Sequence, residues 1–111
     1  MVKPIPKELL IHEVDYEEYK GTGNFGDEWE DSVTIDHVRF EPETKITRDA
    51  NGEEVKTQGT LFLDAVNTPK FRQMKVNSKV TFDGQEMRVN ACDVLYAFDP
   101  DTPHHYEVEL I

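Results

Sequence analysis

Residues 76–98 read VNSKVTFDGQEMRVNACDVLYAF, and this stretch predicts a β-hairpin. Two runs that alternate between apolar and polar residues flank Asp83-Gly84, a dipeptide typical of a two-residue type I′ turn. That turn places Val80 opposite Met87 on one face, so the turn and the apolar pattern agree on the register. The return strand changes phase near Cys92-Asp93, which indicates a bend. Met87, Val89 and Ala91 face one side before the change, and Val94, Tyr96 and Phe98 face the other side after it.

A second change of phase lies in the strand predicted over residues 33–40. Val33 and Ile35 point to one side of that strand, whereas Val38 and Phe40 point to the other. A period-two pattern shifts in this way at a bulge or a sharp bend, which small barrels use to close.

Three further stretches complete the predicted sheet. Residues 9–16 alternate with Leu10, His12, Val14 and Tyr16 on one face, although residues 7–10 locally favour helix. Residues 59–66 predict a central strand, and residues 104–111 predict a last strand with Tyr106, Val108 and Leu110 inward. About six strands with little helix predict an all-β fold, a small bent-strand β-barrel forming a single domain over 1–111 with long loops and a projecting hairpin.

Residues 20–31 are glycine-rich and acidic, and they predict a long loop. Phe25 and Trp29 lie in it, and each is either an anchor against a partner or a lid on the domain's own core. The match of residues 21–26 to G-x-G-x-x-G is spurious, because the acids that follow would repel a phosphate.

Residues 44–58 predict a hairpin around Asn51-Gly52. Only Ile46 and Val55 are apolar in its arms, so the hairpin is expected to project into solvent or toward a partner. A two-residue turn would place Asp49 opposite Glu54, and this repulsion predicts a mobile tip.

No pattern of residues indicates catalysis, a cofactor or a metal site. His104 and His105 are neighbours on a strand, so they are expected to point to opposite faces, where they could not share one ion. Cys92, the single cysteine, is expected to act as a small core residue. The chain is therefore not predicted to be an enzyme.

Twelve Lys and Arg face 23 Asp and Glu, which gives a net charge of −11. This charge opposes binding to nucleic acid and to anionic membranes. Nine acids between Glu8 and Asp31 form either a solvated face or a surface that meets a basic partner or repels DNA. No apolar run approaches the roughly 20 residues of a membrane span. The first six residues lack the apolar core of a signal peptide, so export is not expected.

Several stretches resemble a phage and prophage family of small minor capsid proteins. They are residues 4–12 (PIPKELLIH), 34–42 (TIDHVRFEP), 61–64 (LFLD), 78–84 (SKVTFDG) and 104–111 (HHYEVELI). The likeness covers nearly the whole chain and extends to the head-closure, or stopper, proteins of long-tailed phages of low-GC Gram-positive bacteria.

The resemblance implies a structural role without catalytic residues. Stoppers form a ring beneath the portal and adaptor, close the DNA exit and carry the tail. The implied partners are copies of the chain itself in a six- or twelve-fold ring, portal or adaptor proteins, tail proteins and passing DNA that is not tightly bound. The implied location is the virion neck, assembled in the bacterial cytoplasm. The candidate gate is the hairpin residues Arg48, Asp49, Asn51, Gly52, Glu53 and Glu54, and the candidate partner-contact residues are Phe25 and Trp29.

Two other hypotheses remain open from the sequence. One is another neck component, such as an adaptor or a tail-completion protein, and adaptors are usually helical. The other is a small acidic binding module, such as an anti-host protein or a DNA mimic, which would stay monomeric and bind a basic protein in a salt-dependent way.

Overall fold

The computed structural model describes residues 3–111, so Met1 and Val2 of the predicted domain lie outside the described residues. Within this range a 3-10 turn and ten strands form the regular structure. Their bounds are Lys7–Leu9 for the 3-10 turn, then β1 His12–Glu17, β2 Tyr19–Gly23, β3 Gly26–Trp29, β4 Val33–Pro42, β5 Ile46–Arg48, β6 Glu54–Lys56, β7 Gly59–Asp64, β8 Lys79–Phe82, β9 Gln85–Tyr96 and β10 Pro103–Leu110.

Six of the strands close into an antiparallel barrel in the order β1-β4-β7-β10-β9-β8, and β8 pairs back onto β1. The predicted all-β barrel is confirmed. The strand predicted over residues 9–16 begins only at His12, because Lys7–Leu9 forms the 3-10 turn. The local helical preference and the strand pattern therefore each hold over part of that stretch.

The core fills the barrel with side chains that are at most 8% exposed. Each fully buried aliphatic side chain contributes about 1.5–3 kcal/mol relative to exposure. The cluster is Val14, Tyr16, Ile35, Val38, Leu61, Leu63, Met74, Val80, Met87, Val89, Tyr106, Val108 and Leu110. His12, predicted on the same face as Val14, is only half-buried, and its Nδ1 accepts the Phe40 N–H at 3.0 Å.

The hairpin β8–β9 has the predicted two-residue turn. Phe82 pairs with Gln85 and Val80 pairs with Met87. Asp83 has φ of 51° and Gly84 has φ of 79°, the left-handed values that a type I′ turn requires at both central residues.

The phase change predicted in β4 is a bulge at His37. β1 pairs His12 with Val38 but Glu13 with Asp36, so His37 has no opposite residue. Its φ of 54° is left-handed. Because of this extra residue, Ile35 and Val38 both point inward and are fully buried.

The bend predicted in β9 lies earlier than expected. β10 pairs Glu109 with Ala91 and Leu110 with Val89, so Asn90 is the unmatched residue. The inward positions therefore pass from Val89 to Cys92 and Val94, which pack against the core. The prediction was wrong for Ala91. Tyr96 and Phe98, predicted on the same side as Val94, are exposed, because Tyr96 ends β9 beyond the part that pairs with β8 and Phe98 lies after the strand.

The loop predicted over residues 20–31 is a hairpin, which corrects that prediction. Strands β2 and β3 pair Thr22 with Asp27 and Gly23 with Gly26. Gly21 and Gly26 have φ of 112° and 104°, values that side chains other than glycine rarely adopt. The glycines therefore shape a twisted two-stranded ribbon.

We expect alanine at position 37 to destabilise the protein by about 1 kcal/mol relative to glycine, because a Cβ atom is strained in the left-handed region. Both His37→Ala and His37→Gly remove the imidazole, so each is the control for the other. Urea denaturation followed by circular dichroism measures the difference. Equal stability of the two variants would contradict the left-handed bulge.

Candidate interaction surfaces

The hairpin β5–β6 has a different register from the predicted one. Arg48 pairs with Glu54, and Arg48 Nη2 lies 3.6 Å from Glu54 Oε1. Asp49 therefore does not oppose Glu54, and the expected repulsion at the tip was wrong. The reason is a longer turn than the Asn51-Gly52 dipeptide suggested, spanning residues 49–53.

A single carboxylate organises this turn. Asp49 Oδ1 accepts the N–H groups of Asn51 and Glu53 at 2.9 and 3.0 Å. The Asp49 carbonyl accepts the N–H of Gly52 at 3.0 Å, and Gly52 has the positive φ of 80° that closes the turn. The six candidate gate residues thus form one hydrogen-bonded tip, exposed except for the half-buried Asp49.

The hairpin β5–β6 continues the ladder of β4 and β7 out of the barrel wall. The last pair of β4 with β7 is Pro42 with Gly59. Just beyond it, the buried hydroxyl of Thr57 donates to the Glu43 carbonyl at 2.7 Å and joins the two arms of the hairpin. Beyond this point the hairpin leans over β9 and β10. Asn90 Nδ2 donates to the Arg48 carbonyl at 2.9 Å, and Lys45 Nζ lies 4.0 Å from Glu109 Oε2. The turn over residues 49–53 lies beyond these contacts.

Trp29 packs on the barrel of its own chain. Its Nε1 donates to the Asn77 carbonyl at 2.9 Å. Lys79 Nζ lies 4.0 Å from the centre of the ring and Arg88 Cζ lies 4.7 Å from it. Phe25, at the tip of the same hairpin, is fully exposed. Trp29 therefore packs on its own domain, whereas the Phe25 side chain points into solvent and stays a predicted partner-contact residue.

A buried carboxylate that the sequence analysis missed fastens the chain around the end of β7. Asp64 is fully buried, and its oxygens accept the N–H groups of Ile5, Val66 and Asn67, each at 2.9 Å. The Asx-turn pattern Asp-x-x-x-Thr over residues 64–68 was the available signal. The role of Asp64 is structural, since its acceptor sites face backbone donors.

His104 and His105 lie together, contrary to the prediction that they point to opposite faces. β10 has a register irregularity between Pro103 and His105, and this irregularity brings the two Nδ1 atoms to 2.8 Å. His104 Nε2 lies 2.7 Å from the Lys3 carbonyl, and His105 Nε2 lies 2.9 Å from Glu107 Oε2. Because a carbonyl only accepts, His104 Nε2 is the donor of its contact with Lys3. The chain of contacts tethers the N-terminal segment to β10.

The described residues contain no group of three or more His, Cys, Asp or Glu side chains placed to hold a metal ion. Cys92 lies at the edge of the core, and burial raises the pKa of its thiol, which disfavours the reactive thiolate. His37 Nδ1 lies 3.3 Å from Asp36 Oδ2 without a hydrogen bond, so this pair lacks the geometry of an oriented catalytic base.

The chain is a closed six-stranded β-barrel that carries two further two-stranded hairpins. The family model described as Minor capsid protein matches residues 6–110, and the chain belongs to this family of phage minor capsid proteins. Neither a curated protein nor a solved structure matches the chain. Across residues 3–111, helical segments of the length and hydropathy needed to span a membrane are absent.

We expect Trp29→Ala to lower the free energy of unfolding by about 2 kcal/mol, because it removes two cation–π contacts and a hydrogen bond. Phe25→Ala, on the same hairpin, should change it by less than about 0.5 kcal/mol. Circular dichroism is the measurement, since Trp29 is the only tryptophan for fluorescence. If Phe25→Ala lowers the free energy of unfolding as much as Trp29→Ala does, the Phe25 side chain is also packed against the barrel, which contradicts its exposure.

Proposed function

We propose that this minor capsid protein is a head-closure, or stopper, component of the virion neck. Copies would form a ring between the portal or adaptor and the tail, and a hairpin from each copy would close the DNA exit. The observation that carries this proposal is the attachment of the hairpin β5–β6. It has an ordered tip, but only a few polar contacts hold it to the barrel.

The cost of detaching the hairpin is small. One hydrogen bond, from Asn90 to the Arg48 carbonyl, contributes about 1 kcal/mol. The ion pair of Lys45 with Glu109 contributes about 1 kcal/mol or less, because Lys45 is exposed. Ile46 is mostly exposed and Val55 only half-buried, so little apolar burial is lost. The hairpin can therefore swing about Thr57 while the barrel stays closed.

The negative net charge of the protein suits a channel through which DNA passes without binding tightly. Because 23 acids face 12 cations, the summed field repels phosphates and opposes tight binding. The predominance of strand, with one three-residue 3-10 turn between residues 3 and 111, argues for a stopper over a helical adaptor.

We expect this chain to lie between portal and tail in purified particles. Cryo-electron microscopy of the neck, with immunogold labelling, is the measurement. Density repeated around the axis at that position supports the proposal, and the hairpins should face the channel. Absence from the virion contradicts it and favours the acidic binding module, for which a pull-down from infected cells is the next experiment.

We expect deletion of residues 48–55 to leave the barrel folded and to yield DNA-filled heads that leak. Asn90→Ala is the matched control, because it removes the tether at full hairpin length and should leave DNA retained. Circular dichroism checks the fold, and nuclease sensitivity of the packaged DNA measures the leak. If the deleted heads keep their DNA and accept tails normally, this hairpin is not the gate.

A further inference from the structure

We propose that neighbouring copies of this chain join head-to-tail through two different surfaces at the same end of the barrel. The tip of the hairpin β2–β3 of one copy would seat Phe25 in an apolar pocket of the next copy. The pocket is lined by Ala65, Val66, Ala97 and Pro103, together with Pro4, Asp99, Thr102 and His104. This inference rests on the proposed ring and names the contact that builds it.

The two surfaces are placed as a ring requires. Rotation about the ring axis moves a copy around the axis but not along it. The two surfaces that meet in a head-to-tail contact must therefore lie at the same level along the axis. The hairpin β2–β3 joins the end of β1 to the start of β4, and the pocket lies where β7 and β9 end and β10 begins. In an antiparallel barrel these ends share one mouth. β10 is the third strand from β1 in either direction, so the base of the hairpin and the pocket lie on different parts of the rim.

Both surfaces have apolar groups without an internal partner. Phe25 is 100% exposed and Val66 is 71% exposed. Trp29 fastens the hairpin to its own barrel, so Phe25 is held outward on an ordered support. A rigid aromatic side chain that enters a neighbour's pocket is the usual anchor of a protein interface.

Charge distribution favours a second copy as the occupant. Residues 65–82 contain four cations and no acid, although the chain carries −11. Within residues 3–111, no carboxylate lies within 4.0 Å of the charged nitrogens of Lys70, Arg72 or Lys75. The hairpin β2–β3 and the residues after it carry Glu28, Glu30 and Asp31, which likewise form no ion pair in the described chain.

These unpaired charges cannot easily meet within one copy. The hairpin packs over β8 and β9 through Trp29, whereas Lys70 lies on β4, where its Nζ donates to the Thr34 carbonyl at 2.9 Å. β8 and β4 are on opposite sides of β1. Contact between copies would pair the acids of one with the cations of the next, which sets the register of the ring.

Crosslinking in assembled particles tests the contact. A chain with Asn24→Cys, Val66→Cys and Cys92→Ser keeps Phe25 and should give a ladder of crosslinked species that ends at the full ring under mild oxidation, because each copy is joined to two others. Chains with only one of the two introduced cysteines are the controls and should stay uncrosslinked. If the protein is present in the neck but the paired variant gives no ladder, the contact is wrong and the proposed function stands.

Charge reversal gives an independent test. Lys70→Glu with Arg72→Glu, or Glu28→Lys with Glu30→Lys, should each reduce incorporation into particles by about tenfold or more. The chain with all four changes should recover most of the loss, because the reversed charges again match. If reversal at positions 70 and 72 leaves incorporation unchanged but loosens the packaged DNA, the cations face DNA and the proposal is overturned. If the unmodified protein is absent from particles, the proposed function itself fails.

Discussion

The fold depends on one unpaired residue in the barrel wall. Six strands enclose a narrow cylinder, so each strand must bend sharply to stay hydrogen-bonded around it. In β4 the bend is made by His37, whose left-handed backbone lets Ile35 and Val38 both enter the core. The Thr68 hydroxyl donates to the His37 carbonyl at 2.7 Å and accepts the Asp64 N–H at 2.9 Å. The bulge is thus tied to the backbone of Asp64, the residue whose carboxylate is buried at the end of β7.

The sequence predicted those features in which two local signals agreed. The turn at Asp83-Gly84 and the apolar pattern of its arms gave the same register, and the shift between Ile35 and Val38 marked the bulge in β4. In β9 the predicted bend was displaced because Ala91 and Cys92 are both small and fit either face. The inward side was therefore ambiguous over two residues, and the pairing with β10 decided it.

Other features depend on contacts between distant segments, which a single sequence does not contain. Residues 20–31 are rich in glycines and acids, which are not typical of strands, so the sequence did not predict the hairpin β2–β3. Its position is set by contacts of the Trp29 ring with Lys79 of β8 and Arg88 of β9. The contact of His104 with His105 follows from an irregular pairing with β9. The burial of Asp64 follows from the N-terminal segment folding over it.

Each seam of the barrel is the pairing between two neighbouring strands. The six seams differ in length, and this difference has a mechanical consequence. β1 and β8 share three residue pairs, whereas β7 and β10 share six. A pull on the hairpin β5–β6 enters the wall through β4 and β7, whose own seam has five pairs and lies away from the short one. Tension applied at the hairpin, as the proposed closure of the DNA exit requires, would spread into the well-paired side of the cylinder. The short seam would carry little of that load.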